Sequence, residues 1–189
     1  MAKILAFAGS TRKDSYNKKL AKVAADAAVE AGAEVTFIDL ADYSMPIFCE
    51  DLEAASGMPE KARAFKEMLM SHDGFLISSP EYNSSYPAVL KNAIDWASRM
   101  EDGEKPLQAF KGKVAGIMAA SPGALGGLRC LVTLRMLLGN IGVHVIPNQK
   151  AVSKAHEQFA EDGSMIKEKQ QAGIAAIAKE VVELANKFS

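Results

Sequence analysis

The chain has 189 residues, 49% hydrophobic and 24% charged, which is enough apolar material for one packed domain without disulfide or metal staples. Lys plus Arg is 22 and Asp plus Glu is 23, for a net charge of −1; that balance speaks against nucleic acid or an anionic membrane as partner, and against a strongly acidic electron carrier. Cys49 and Cys130 lie far apart with no CxxC spacing, so no disulfide framework is expected and a reducing cytoplasm is the natural compartment.

The apolar start is too short for a signal peptide and breaks at Gly9-Ser10-Thr11-Arg12. No apolar run approaches the roughly 20 residues that span a bilayer. Residues 4–8 read as a strand. Residues 15–31 read as a helix with Leu20, Val23, Ala24, Ala27 and Ala31 on one face, stopped by Gly32. Residues 35–40 are the second strand, and 59–70 a helix opened by Pro59, with Ala62, Phe65, Met68 and Leu69 inward. A continuous apolar strand over 74–79 precedes a helix over 87–100. Then come a strand over 114–120, a helix over 125–141, a short strand over 143–147 and a last helix over about 168–188. That helix carries Ile174, Ile177, Ala178, Val181 and Ala185 on one side.

Five strands alternating with five helices imply an α/β domain covering 1–189, with a parallel sheet buried on both faces. The doubly wound order 2-1-3-4-5, flavodoxin-like with helices on both faces, places the loops after strands one and three beside a crevice at the switch point. The connection over about 41–57 is longer than a plain loop and is expected to cover a site or an interface. The helix over 87–100 has a wide apolar face, including Leu90, Ile94 and Ala97, suited to both a sheet and a subunit interface. Trp96, in helical register with Val89, Ala93 and Met100, reads as packing before it reads as a platform for a flat ligand.

Three loops draw notice. Gly9-Ser10-Thr11-Arg12-Lys13-Asp14-Ser15-Tyr16-Asn17 links the first strand to the first helix, where unpaired N–H groups and the helix dipole favour an anion. Hydroxyls of Ser10, Thr11 and Ser15 and the Arg12 fork suit a monophosphate; an ordinary turn capped by Ser15 is the plainer alternative. The fingerprint G-x-G-x-x-G is absent, and no cysteine in the loop offers a phosphatase nucleophile. The second loop, Ser78-Ser79-Pro80-Glu81-Tyr82-Asn83-Ser84-Ser85-Tyr86-Pro87, has a rigid exit at Pro80. It can turn the N–H groups of Glu81, Tyr82 and Asn83 toward a polar ring edge, or be a simple turn. The third, Ser121-Pro122-Gly123-Ala124-Leu125-Gly126-Gly127, lets backbone approach a flat ligand, or is merely flexible. All three fall on one edge of the sheet.

These residues resemble the NADPH-dependent FMN reductase family, which includes quinone, chromate and azo-compound reductases. Gly9, Ser10, Arg12, Ser15, Asn17 and Leu20 match its first signature. Pro80-Glu81-Tyr82-Asn83 and the run Leu90-Lys91-Asn92-Ala93-Ile94-Asp95-Trp96 match its second. Gly126, Gly127 and Arg129 match a looser third. The resemblance implies that Ser10, Arg12, Ser15 and Asn17, with neighbouring Tyr16, hold the FMN phosphate. It implies that Pro80, Glu81, Tyr82 and Asn83 cradle the isoalloxazine, with Ser121 and Gly123 on its other side. It further implies NADPH or NADH as donor, a quinone, free flavin or similar flat acceptor, and a homodimer or homotetramer.

The flavin then does the redox chemistry, and no side chain is expected to act as acid, base or nucleophile. One phosphate loop leaves no second nucleotide domain, so donor and acceptor are expected to share one flavin face, with ping-pong kinetics. The competing readings are a flavodoxin-type electron carrier, a non-catalytic FMN-binding redox regulator, and a phosphate-binding enzyme without flavin. His72, His144 and His156 lack metal-ligand spacing and read as surface or boundary residues.

Overall fold

The computed structural model describes residues 1–188. Strands β1 (Lys3–Ala8), β2 (Glu34–Ile38), β3 (Gly74–Ser78), β4 (Val114–Ala120) and β5 (His144–Val152) form one sheet. Its order is β2-β1-β3-β4-β5, and every pairing is parallel. That is the doubly wound order expected from the sequence, the arrangement of flavodoxin. Ala8 pairs with Ser78, and Ser78 with Met118, so β1, β3 and β4 end nearly level and deliver their loops to one edge.

The helices are α1 (Tyr16–Glu30), α2 (Glu50–Ser56), α3 (Glu60–Met70), α4 (Ala88–Ser98), α5 (Leu128–Asn140) and α6 (Glu168–Phe188). Leu20, Ala24, Ala28, Ile174, Val181 and Ala185 of α1 and α6 pack on one sheet face beside Ile4, Ala6 and Leu76. Phe65, Leu69, Leu90, Ile94, Leu131 and Leu134 of α3, α4 and α5 pack on the other beside Leu5, Phe7, Phe75 and Ile77. The outward alternation along a strand thus feeds two cores at once, as a crossover sheet demands.

Five expectations are corrected. Only β1, β3 and β4 are apolar and buried nearly throughout; β2 and β5 are edge strands and half exposed. β5 runs to Val152 rather than 147, because a register shift opposite Ala115–Ile117 accommodates Pro147, which has no N–H for a regular ladder. The helix expected to start at residue 125 starts at Leu128, after two left-handed glycines.

The fourth correction concerns the long connection over 41–57, which has secondary structure of its own. It holds a 3-10 turn (Leu40–Tyr43), capped by the Asp39 carboxylate accepting from the Ala41 amide at 2.9 Å, and then α2. Asn92 accepts from the Phe48 amide at 2.8 Å and donates to the Pro46 carbonyl at 2.9 Å. Trp96 donates to the same carbonyl at 2.8 Å and meets Phe48 edge-on at 5.0 Å. The wide face of α4 is therefore covered by the chain's own segment, with Met58, Ala62 and Trp96 at its centre. Trp96 is fully buried packing. His72, expected near the surface, is also buried, with its ring nitrogens against Met68 O and Thr36 Oγ1.

Candidate active site

Loop one leaves β1 at Gly9, whose N–H donates to Ser78 O at 2.9 Å. A Cβ there would stand 2.8 Å from Leu90 Cδ2, so glycine lets the loop lie on α4. Ser15 is extended and caps α1, its hydroxyl accepting from the Asn17 amide at 3.2 Å. The amides of Thr11, Lys13, Asp14 and Ser15 have no acceptor among the described residues. Free donors at a helix N-terminus, with buried Ser10 and Ser15 and the exposed Arg12, form a site for an anion.

Asn17 has a second task. Its Nδ2 donates to the Ala120 carbonyl at 2.9 Å, and its Oδ1 accepts from the Ala120 amide and the Ser78 hydroxyl, each at 2.9 Å. One buried side chain thus ties α1 to the ends of β3 and β4. Sequence reading placed Asn17 at the site but did not foresee this clamp, which joins residues 103 apart.

Loop two is a tight hairpin. Tyr82 and Ser85 exchange backbone hydrogen bonds of 2.9 and 3.1 Å. Asn83 and Ser84 lie in the left-handed region at φ 51° and 68°, as a type I′ turn requires. Tyr82's amide is therefore not available to a ring edge, contrary to expectation; those of Glu81 and Asn83 have no partner among the described residues. Tyr82 is 53% exposed and stands at the rim. The Glu81 carboxylate is tied to the start of α5. It accepts from the amides of Arg129 and Cys130 at 3.0 and 3.2 Å and pairs with the Arg129 guanidinium at 2.7 Å.

Loop three is held to β5: Ser121 N–H donates to Val152 O at 3.1 Å, and Ala155 N–H to Ser121 O at 3.0 Å. The Ser121 hydroxyl accepts from Gly123 N at 3.2 Å. Gly126 and Gly127 have φ of 62° and 88°, and a Cβ on Gly126 would come within 2.5 Å of Ser153 N. Close by, Cys130 is buried, and that burial pushes its thiol up to about 11; Cys49 is exposed.

Ser10, Arg12, Ser15, Tyr16, Asn17, Pro80, Glu81, Tyr82 and Ser121 line one hollow, with Ala120 and Pro122. Asn83 and Gly123 lie outside its wall. At about 90 Å³ it is far smaller than the roughly 300–1,000 Å³ of pockets that engulf a whole ligand. It suits a terminal group, with the rest of the ligand lying across the loops. A second cavity of about 240 Å³ shares Ser10, Arg12 and Tyr82 with it and reaches Pro87–Val89. Tyr16 is held at the wall by stacking on Phe159 at 6.1 Å, a contact from beyond β5 that no sequence motif signalled.

A parallel sheet of order β2-β1-β3-β4-β5, whose loops after β1, β3 and β4 meet at its switch point around one hollow, has the architecture of the flavodoxin-like class. Residues 2–157 match the family described as NADPH-dependent FMN reductase, and the chain belongs to that family. It is 37% identical over 169 residues to an NAD(P)H-dependent FMN reductase of Pseudomonas aeruginosa, covering 88% of this chain and 86% of that one. It is likewise 37% identical to a 2-hydroxy-1,4-benzoquinone reductase of a Burkholderia species, covering 86% and 83%. Among solved structures it resembles the flavoenzyme NAD(P)H:(acceptor) oxidoreductase FerB of Paracoccus denitrificans, with a TM-score of 0.83 at 31% identity over 99% of this chain and 98% of that one.

Proposed function

We propose that this enzyme, an NAD(P)H-dependent FMN and quinone reductase by family, works from the crevice between the loops after β1, β3 and β4. The observation that carries this reading is the hollow lined by Ser10, Arg12, Ser15 and Tyr16. Its unpaired amides and guanidinium fit a dianionic monophosphate. FMN, when bound, supplies the two-electron chemistry between the nicotinamide and its acceptor.

The chain's own residues bind, orient and limit access. Arg12 and the hydroxyls of Ser10 and Ser15 hold the phosphate, and Asn17 keeps that loop in register with β3 and β4. Pro80, Glu81 and Asn83 present backbone to the ring, Tyr82 borders its exposed side, and Ser121 and Gly123 close the far side. No side chain serves as acid, base or nucleophile. NADPH or NADH is the donor, and quinones in the manner of the Burkholderia relative are the acceptors. Donor and acceptor take turns on the open side. The protein works in the cytoplasm as a homodimer or homotetramer; no described helix is long and apolar enough to cross a membrane.

The test is reconstitution with FMN, followed by anaerobic addition of NADPH and then a quinone. Flavin absorbance is expected to bleach and return, with parallel double-reciprocal lines in steady state. A protein that takes up no FMN would overturn the reading; intersecting lines would overturn the shared-face scheme alone.

A further inference from the structure

The positive end of α5 lies beside the proposed ring cradle, and its first turn contains no acidic residue of its own. The compensating charge comes from Glu81, 48 residues earlier. One carboxylate oxygen takes the amides of Arg129 and Cys130, and the other takes the Arg129 guanidinium. The two partners differ in exposure: the Glu81 side chain is 10% accessible and that of Arg129 58%. Water screens the cation more than the anion. Glu81 also lines the hollow shared with Ser10, Arg12 and Tyr82, whereas Arg129 does not.

We propose that Glu81 is an electrostatic positioning residue: it anchors the ring-cradling hairpin to α5 and, by cancelling the positive end of that helix, holds down the reduction potential of the bound flavin. This rests on the reading of the crevice as the FMN site. Two-electron reduction by NAD(P)H delivers a hydride, two electrons and one proton, and releases NAD(P)⁺. The bound ring gains one negative charge. A poorly screened carboxylate nearby opposes that gain, while the free helix terminus and Arg129 favour it. Low potential favours passing electrons on to a quinone over retaining them.

The experiment compares wild type, Glu81→Gln, Arg129→Gln and the double variant, each reconstituted with FMN, by midpoint potential against a reference dye and by affinity for oxidised FMN. Gln at 81 still offers an acceptor to the α5 amides but carries no charge. Glu81→Gln is expected to raise the ratio of reduced to oxidised FMN affinity about tenfold, which for a two-electron couple is about +30 mV. Arg129→Gln is expected to shift the potential downward, and the double variant to fall between the two. A purely structural role for Glu81 would weaken oxidised and reduced FMN alike and leave the potential where it was. A potential for Glu81→Gln at or below wild type overturns the inference. If that variant does not hold FMN, Arg129→Gln decides: a potential at or above wild type overturns it equally. Wild type that takes up no FMN removes the crevice reading itself, a separate outcome.

Discussion

Replacing Asn17 with alanine tests the joint on which the site is built. The change strips partners from the Ala120 amide, the Ala120 carbonyl and the Ser78 hydroxyl. Ser78 is fully buried and Ala120 is 4% exposed. A buried polar group left unpaired costs about 1–3 kcal/mol. Ala120 borders the hollow, so removing the Asn17 amide opens its two groups to water, and the low end of that range applies. The sum is about 3 kcal/mol. With a urea slope of about 2 kcal/mol per molar, the unfolding midpoint of the FMN-free protein is expected to fall by about 1.5 M. Affinity for FMN, read by flavin fluorescence quenching, should fall as well, because the loop bearing Ser10, Arg12 and Ser15 loses its register with β3 and β4. Asn17→Asp separates the two effects. It keeps acceptors for the Ala120 amide and Ser78 but turns a charge toward the Ala120 carbonyl and the anion hollow, so it should harm FMN binding more than alanine does. A stability loss below about 0.5 kcal/mol for Asn17→Ala, within the range of ordinary surface changes, together with unchanged FMN affinity, would refute the reasoning.

Other outcomes follow from the same geometry. Arg12→Ala should weaken FMN about 10- to 150-fold, the equivalent of a charged hydrogen bond of about 1.5–3 kcal/mol, with little effect on folding because Arg12 is exposed; equilibrium dialysis measures it. Ser84→Gly should stabilise the chain by up to about 1 kcal/mol in urea unfolding, since Ser84 sits at φ 68° and glycine carries no left-handed penalty. Gly126→Ala should abolish soluble expression or lower the melting temperature sharply, because its Cβ would meet the backbone of Ser153 and Val152 within 3 Å. Iodoacetamide at pH 8 should label one of the two cysteines in the native protein: Cys49 is exposed, while Cys130 is buried with a thiol near 11. Mass spectrometry of the peptides reads the result.

Much of this protein was legible along the chain because local chemistry decides it. Apolar runs of strand length alternating with helix-period runs require a parallel crossover sheet covered on both faces. Ser15 announces a helix start, and Ser10, Arg12 and Ser15, picked out together along the chain, line one hollow. The loops after β1, β3 and β4 share an edge by topology alone. Where single-residue pattern sufficed, as for β4 and α6, even the boundaries agree with the structure.

What only the tertiary structure decided are pairings between side chains and backbone far apart in sequence. Nothing near Asn17 signals that its amide will satisfy Ala120, nor does anything near Glu81 signal a helix that begins at Leu128. The segment 41–57 was expected to cover something, but what it covers could not be read locally, because its anchors, Asn92 and Trp96, lie on α4. Hydrophobic periodicity reports how much of a helix is covered and is silent on what covers it. A hydrogen bond across the fold depends on where two chain segments arrive, and that is settled only when the whole sheet and its helices have packed.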